Sequence, residues 1–316
     1  MSKHGGDQMR SGNKRKKPLW LKITGIIALL LVIGAGSYVF IVYRSLSGAV
    51  ETMHQPVKYQ SEKRNQEVTL TEKEPFSVLM LGVDERDGDK GRSDTIVVLT
   101  VNPNDESVKM LSIPRDTRTE IVGKGFEDKI NHAYAFGNEE MAMATVENFL
   151  DIPIDYYIKV NMEGFKDIVD SVGGVDVNNT LSFSEGGHQF NEGLISLSGD
   201  EALSYVRMRK EDPNGDFGRQ DRQKQVIQGV IKKGISFNSL ANFNNIFGAL
   251  GKNVRTNLSF DQMKDIQKNY KNAIGSFESM NIDGSGQTIN KIWYLVVSDE
   301  EQQRVQNELR NHLELK

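Results

Sequence analysis

Apolar positions along the chain fall into one uninterrupted block, several short β-branched runs, and stripes at helical spacing. The block is Ile23–Tyr43 (ITGIIALLLVIGAGSYVFIVY), 21 residues without a charged side chain. At about 1.5 Å per residue, a helix of that length crosses a hydrocarbon core of about 30 Å. The short runs Phe76–Val83, Thr95–Asn102 and Ser107–Ile113 have strand length and strand composition. The last two flank Asn102-Pro103-Asn104-Asp105, a turn tetrad. They therefore pair as an antiparallel hairpin, and pairing of the first with the second completes a meander. Downstream the pattern predicts a helix near Asn138–Leu150, a strand over Ile154–Val160 and a helix over Met162–Val172. Gly173-Gly174 then gives a stop before a short strand at Val175–Val177. Ser198–Glu201, Ser259–Gln262 and Ser298–Glu301 have capping-box form and open helices. A longer helix follows Asp216, and an apolar stripe recurs at Leu240, Phe243, Phe247 and Leu250. Phe277–Ile282 and Ile292–Val297 read as strands. Strands alternating with helices predict an α/β layered domain.

The flanks of the apolar block give it a direction. Lys14-Arg15-Lys16-Lys17 and Lys22 precede it, and Trp20, Tyr38 and Tyr43 suit the interfaces, so the N-terminus is expected in the cytoplasm and the rest outside. Ala35-Gly36-Ser37 offers a weak cleavage site, but the apolar run continues through Val39–Val42, which favours an uncleaved anchor over a signal peptide. The expected organisation is a basic cytoplasmic tail (1–22), a transmembrane signal anchor (23–43), a polar extracytoplasmic stalk (44–74) and one extracytoplasmic domain (75–316). That organisation is expected of a single-pass cell-membrane protein. Charge follows the same division. The net −4 conceals seven Lys/Arg against one Asp in residues 1–22, so residues 23–316 carry −10. A domain that acidic is a poor nucleic-acid binder. The absence of cysteine excludes disulfides, thiolate metal sites and a cysteine nucleophile.

The meander concentrates chemistry. Asp84 falls just past the first strand, Asp94 just before the second, and the third delivers Arg115 and Asp116 to the same edge. Neighbouring strands lie about 5 Å apart, so two carboxylates and a guanidinium crowd one end of the sheet. Two carboxylates with positions left for water and phosphate oxygens suit Mg²⁺. A calcium loop does not fit: from Asp87, Arg92 and Val98 stand where Gly and Glu are needed, and from Asp212, Phe217 and Gln223 do. Eight of the thirteen arginines beyond the apolar block are clustered: Arg86, Arg92, Arg115, Arg118, Arg207, Arg209, Arg219 and Arg222. A planar guanidinium grips phosphate through two parallel bonds, which lysine cannot do. In the helix after Asp216, Val226, Ile227, Val230 and Ile231 form the apolar stripe, with Lys224, Gln225, Gln228 and Lys232 opposite. Arg219, Arg222 and Gln223 then point to the buried side at the electropositive N-terminal end. A buried cationic cluster needs an anion; salt bridges to Asp116, Asp212 and Asp216 are the structural alternative. His4, His54, His132, His188 and His312 make no zinc-binding pair, and no nucleophile elbow or Walker motif occurs. His132 is expected either to line the site or to pack, and the sequons at Asn178 and Asn257 to be chance matches.

The segments LMLGVDERDGDKGRSDT, MLSIPRDT, KINHAYAFG, LSGDEALSYVRMRK and GDFGRQDRQ occur in that order across Ser77–Gln223. Together with the short tail and single anchor, they resemble the LytR-CpsA-Psr family of cell-wall ligases. Residues 236–316 carry no such motif. The resemblance implies a central mixed β-sheet between α-helices in three layers, with a deep apolar tunnel for a polyprenyl chain. The Leu240, Phe243, Phe247 and Leu250 stripe either lines that tunnel or packs in a core. It implies that Asp84 and Asp94 hold Mg²⁺, or Mn²⁺, on a pyrophosphate. Arg86, Arg92, Arg115, Arg207, Arg209, Arg219 and Gln223 would line the diphosphate, joined by Arg222 on helix geometry, with Arg115 catalytic beside the two aspartates. The implied reaction moves an anionic glycopolymer, such as wall teichoic acid, from an undecaprenyl-diphosphate carrier in the membrane lipid to a muramic-acid hydroxyl of peptidoglycan. Undecaprenyl phosphate is released. The Lys210–Gly215 stretch varies in the family, so Asp212 and Asp216 receive no role. The alternatives are a polyprenyl-diphosphate phosphatase, in which water replaces the acceptor, and a non-enzymatic lipid-phosphate-binding regulator.

Overall fold

β1 (Phe76–Val83), β2 (Ser93–Asn102) and β3 (Ser107–Ser112) form the expected antiparallel meander at the centre of a six-stranded sheet. The computed structural model describes residues 44, 48, 50–64, 66–84, 91–236, 251 and 253–315. A small hairpin, β4 (Arg118–Glu120) and β5 (Glu127–Lys129), leads into α1 (His132–Leu150). β6 (Tyr156–Asn161) follows, parallel to β1, and runs into α2 (Met162–Ser171). Next come the short strands β7 (Val175–Asn179), β8 (Phe183–Glu185), β9 (His188–Phe190) and β10 (Gly193–Leu197), then α3 (Gly199–Arg207) and α4 (Asp216–Ser236). β11 (Val254–Thr256), α5 (Phe260–Asn269), β12 (Phe277–Met280), the hairpin β13 (Ser285–Ile289) and β14 (Ile292–Val296), and α6 (Asp299–His312) complete the chain. The central order is β11-β6-β1-β2-β3-β12, with β1–β6 and β3–β12 parallel and the other pairs antiparallel: a mixed sheet.

Side-chain alternation along the strands builds the layers. Leu79, Leu81, Ile96 and Val98 face Met143, Val146 and Phe149 of α1 and Val305 and Leu309 of α6. Val78, Val97, Leu99 and Met110 face the other way, toward Met263 and Ile266 of α5 and Ile227 and Ile231 of α4. A third core joins Val169 of α2, Val175 of β7, Phe183, Phe190, Tyr205 of α3 and Val226 of α4. α4 thus packs on two cores at once. The Ser198 and Ser259 capping boxes are closed reciprocally, and Ser298 accepts from the Glu301 amide.

Three expectations change. Asp94 lies inside β2, which starts at Ser93. α1 starts at His132, with non-helical backbone at Gly137 and Asn138. The loose periodicity there also has a cause in Glu139 and Glu147, which are buried on the core side and satisfied by Lys159 and by the Ile154 amide. The segment expected as a stalk is packed down: Val50, Met53 and Leu70 are buried, Val57 and Tyr59 cover the first core, and His54 bridges to Thr256. Its apolar residues are single and far apart, so composition alone hides them. The expected anchor 23–43 and the Leu240–Leu250 stripe lie outside the described residues. Among the described residues no helix is long and apolar enough to cross a membrane.

Candidate active site

The site begins with a β-bulge. β1 and β2 pair residue by residue from Phe76↔Val101 to Gly82↔Thr95, after which Val83 pairs with Ser93 and leaves Asp94 as the extra residue. Bulges re-aim side chains and recur beside active sites. Gly82 is needed opposite, because a Cβ there would stand 2.9 Å from the Cβ of Thr95. Asp84 is the first residue beyond β1. Asp84 and Asp94 line one cavity of about 470 Å³ together with Arg207, Arg209, Arg219 and Gln223.

Arg115, just after β3, is locked onto this group. Its Nη1 donates to Asp94 Oδ1 at 2.7 Å, and its Nε lies 3.5 Å from Asp116 Oδ2. Burial works against the Arg115 charge, but the hydrogen bond it donates to Asp94 and the charges of Asp94, Asp116 and Asp216 outweigh it, holding the guanidinium above its ordinary range. Arg219 is in the opposite condition. It is 8% exposed, its Nη2 lies 2.8 Å from Asp216 Oδ1, and its buried Nε has no hydrogen-bond partner among the described residues. Burial, then repulsion from Arg115 and Arg209, holds its pKa below the ordinary arginine value despite Asp216. Arg209 Nε is 3.9 Å from Asp216, and Arg207 is exposed with no ion pair among the described residues. A buried, unsatisfied donor among mutually repelling cations is an arrangement that an anion completes.

The cavity changes character along its length. On α4, Arg219, Gln223 and Ile227 recur every four residues on one face, from charged to apolar. On β1 the sequence from Asp84 back to Met80 does the same. The apolar wall is finished by Phe165 of α2 and by Leu203 and Val206 of α3. Sequence reading missed this wall, because each of its residues belongs to an ordinary amphipathic stripe and none carries a local mark of ligand contact. The shape suits an amphiphile with an anionic head.

Not every expected residue gathers here. Arg222 turns to the third core and is corrected to a structural role. Nη1 pairs with Asp212, Nε donates to the Tyr205 carbonyl at 3.1 Å and Nη2 to the Met208 carbonyl at 2.6 Å. Its guanidinium also lies over the Phe183 and Tyr205 rings. Helical phase located a buried side but not which of the two cores it met. For the same reason Lys224, expected on the open face, is buried, with Nζ bonded to Asn281 Oδ1 at 2.6 Å and 2.8 Å from Asp221. Arg92 is exposed and is not among the cavity-lining residues, and Arg86 lies outside the described residues. Asp212 and Asp216, previously without a role, partner Arg222 and Arg219. His132 pairs with Asp128 at 2.7 Å and packs edge-on to Phe136, away from the cavity lining.

Among the described residues no group of three or more His, Asp or Glu side chains is assembled for a metal. The two carboxylates on one cavity do fit a hard dication that keeps its other positions for water and phosphate oxygens.

Fold and site together define a three-layer α/β protein with an amphiphilic cavity, its charged end built from paired aspartates and clustered arginines. The model of the LytR_cpsA_psr family matches residues 39–311, and the chain belongs to that family. It is 54% identical over 301 residues, 95% of this chain and 99% of the relative, to the polyisoprenyl-teichoic acid--peptidoglycan teichoic acid transferase TagU of Bacillus cereus (strain AH820). Among solved structures, B. subtilis TagU is 49% identical with a TM-score of 0.64, covering 77% of this chain and 99% of that one. TagT bound to LIIa-WTA is 33% identical with a TM-score of 0.71, covering 83% of this chain and 100% of that one.

Proposed function

We propose that this protein is a transferase that moves an anionic glycopolymer of the teichoic-acid type from a polyisoprenyl-diphosphate carrier to peptidoglycan. The observation that carries this reading is the single cavity in which Asp84, Asp94 and three arginines meet a wall of apolar side chains. The names of the relatives supply the substrate class. The prenyl chain lies along Met80, Phe165, Leu203, Val206 and Ile227, and the diphosphate sits among Arg207, Arg209, Arg219 and Arg115. Gln223 marks the boundary between the two.

Asp84 and Asp94 would hold Mg²⁺ or Mn²⁺, which supplies charge neutralisation on the diphosphate oxygens when bound. The arginines do the rest. Phosphoryl transfer is mostly positioning and electrostatic stabilisation, so no nucleophilic side chain is required. The acceptor hydroxyl oxygen attacks the phosphorus that bears the glycan and forms a new P–O bond. The bridging P–O bond breaks, its electron pair leaves with prenyl phosphate, and the hydroxyl proton passes to water. Arg115 and Arg219 neutralise the charge that gathers on the leaving phosphate. The apolar 23–43 segment anchors the protein in the cell membrane with this domain outside, where lipid-linked donor and peptidoglycan meet.

The full-length protein in detergent, given lipid-linked glycopolymer and soluble peptidoglycan oligomers, should produce glycopolymer covalently joined to the oligomers. Equal release of prenyl phosphate with and without oligomers would make it a phosphatase instead. Binding of the lipid without turnover at any metal concentration would make it a regulator.

A further inference from the structure

A second cavity, of about 240 Å³, shares a wall with the first. Arg209 lines both, and the second is bounded also by Arg115, Asp116, Asp216, Phe217 and Trp293. Arg115 is bonded to Asp94, and Asp216 to Arg219, so the partition between the cavities is a layer of paired charges. On this side Asp116 and Asp216 offset the arginines, which disfavours a second anion and leaves a neutral polar ligand as the better match.

Two apolar surfaces stand open at this rim. Trp293 is 49% exposed and Phe217 37%, whereas Tyr134, Tyr157, Tyr205 and Tyr270 are fully buried. Trp293 is also held in place. The hairpin β13–β14 is fastened beside Arg115: the Leu295 amide donates to the Asp116 carbonyl at 2.9 Å, and Leu295 bridges to Thr117. The indole lies across Gly286 of the neighbouring strand, where an added Cβ would stand 3.0 Å from Nε1. A positioned aromatic face with carboxylates beside it suits a pyranose ring, whose C–H face covers apolar surface while its hydroxyls find polar partners.

We propose that this second cavity is the acceptor subsite: it seats a sugar ring of the peptidoglycan glycan strand on Trp293 and directs a ring hydroxyl across the Arg115–Arg209 partition to the phosphate. The inference rests on the transferase reading and adds to it the place and chemistry of acceptor recognition.

Trp20 and Trp293 are the two tryptophans of the chain, so in a Trp20→Phe variant the indole fluorescence reports Trp293 alone. Soluble uncrosslinked peptidoglycan oligomers, added without donor, should shift or quench that emission saturably. No saturable change in emission up to the solubility limit of the oligomers overturns the proposal. In steady-state transfer by the full-length protein, Trp293→Ala should raise the KM for oligomers about tenfold or more, leave the KM for lipid-linked donor unchanged, and be largely rescued by Trp293→Phe. An unchanged acceptor KM in folded Trp293→Ala, or an equal rise in both KM values, contradicts it. Absence of transfer by the unmodified protein would instead strike the transferase reading. The fluorescence titration needs no turnover and decides the subsite on its own.

Discussion

Asp94, Arg115, Asp216 and Arg219 interlock as alternating charges, and each substitution among them tests a different function. Arg115→Lys keeps the charge but loses the fork that reaches Asp94 and Asp116 together and that the proposed function needs for the phosphate. Transfer should fall about 10²-fold or more, with the melting temperature nearly unchanged; near-normal turnover would remove Arg115 from the chemistry. Arg222→Ala should do the reverse. It leaves Asp212 buried and unpaired, at a cost of about 3–5 kcal/mol, read as a lower urea midpoint. Prenyl-diphosphate binding per folded molecule should persist. The sequence could not separate these two arginines, because both sit on the buried side of α4 and only the packing of a second core distinguishes them. His312 gives a pH signature. Its ring nitrogens engage the Thr100 and Ser107 hydroxyls. Burial, with the Lys109 charge second, holds the imidazole below its ordinary pKa of 6.5 against the pull of Asp105, Glu278 and Glu308. The unfolded chain takes up this proton first, so stability should decline as pH falls below about 6.5 and level off beneath the native pKa. Thermal melts of wild type and His312→Gln over that range check it: the slope should shrink in the variant.

At the scale of elements, the bulge on β2 and the graded face of α4 make the site. Gly82→Ala forces a Cβ to within 2.9 Å of Thr95 and should displace Asp94. Misplacement of about 1 Å can cost about 10²-fold in rate, so transfer kinetics should suffer more than the melting temperature; the opposite order would argue against the bulge as the positioning device. The meander was legible in the sequence because its strands are long, β-branched and joined by a turn tetrad. The strands β4, β5, β8, β9 and β11 were not, since three residues carry too little periodicity to read. The bulge was invisible as well: an extra residue in a strand shows only against its partner. Asp84 and Asp94 nevertheless line one cavity and Arg115 is bonded to Asp94, a gathering that strand order alone makes legible because it brings those ends to one edge.

In the molecule as a whole, the second and third cores meet along α4, and the amphiphilic cavity opens where the sheet face meets the third core. That junction joins residues far apart in sequence, from Met80 to Ile227, which is why the charged half of the site was readable from motifs and the apolar half was not. Residues 50–64 and 66–74 return to the domain rather than standing clear of it, so the proposed membrane anchor is followed closely by folded structure. The proposed function requires one cavity to receive a metal-bound diphosphate and its lipid together. Crystals of the protein grown with Mn²⁺ and a short polyprenyl diphosphate test this directly. The predicted result is an anomalous peak between Asp84 and Asp94, diphosphate density on Arg115, Arg209 and Arg219, and the prenyl chain between Phe165, Leu203 and Ile227. A manganese peak elsewhere, or a chain lying outside that cavity, would contradict it.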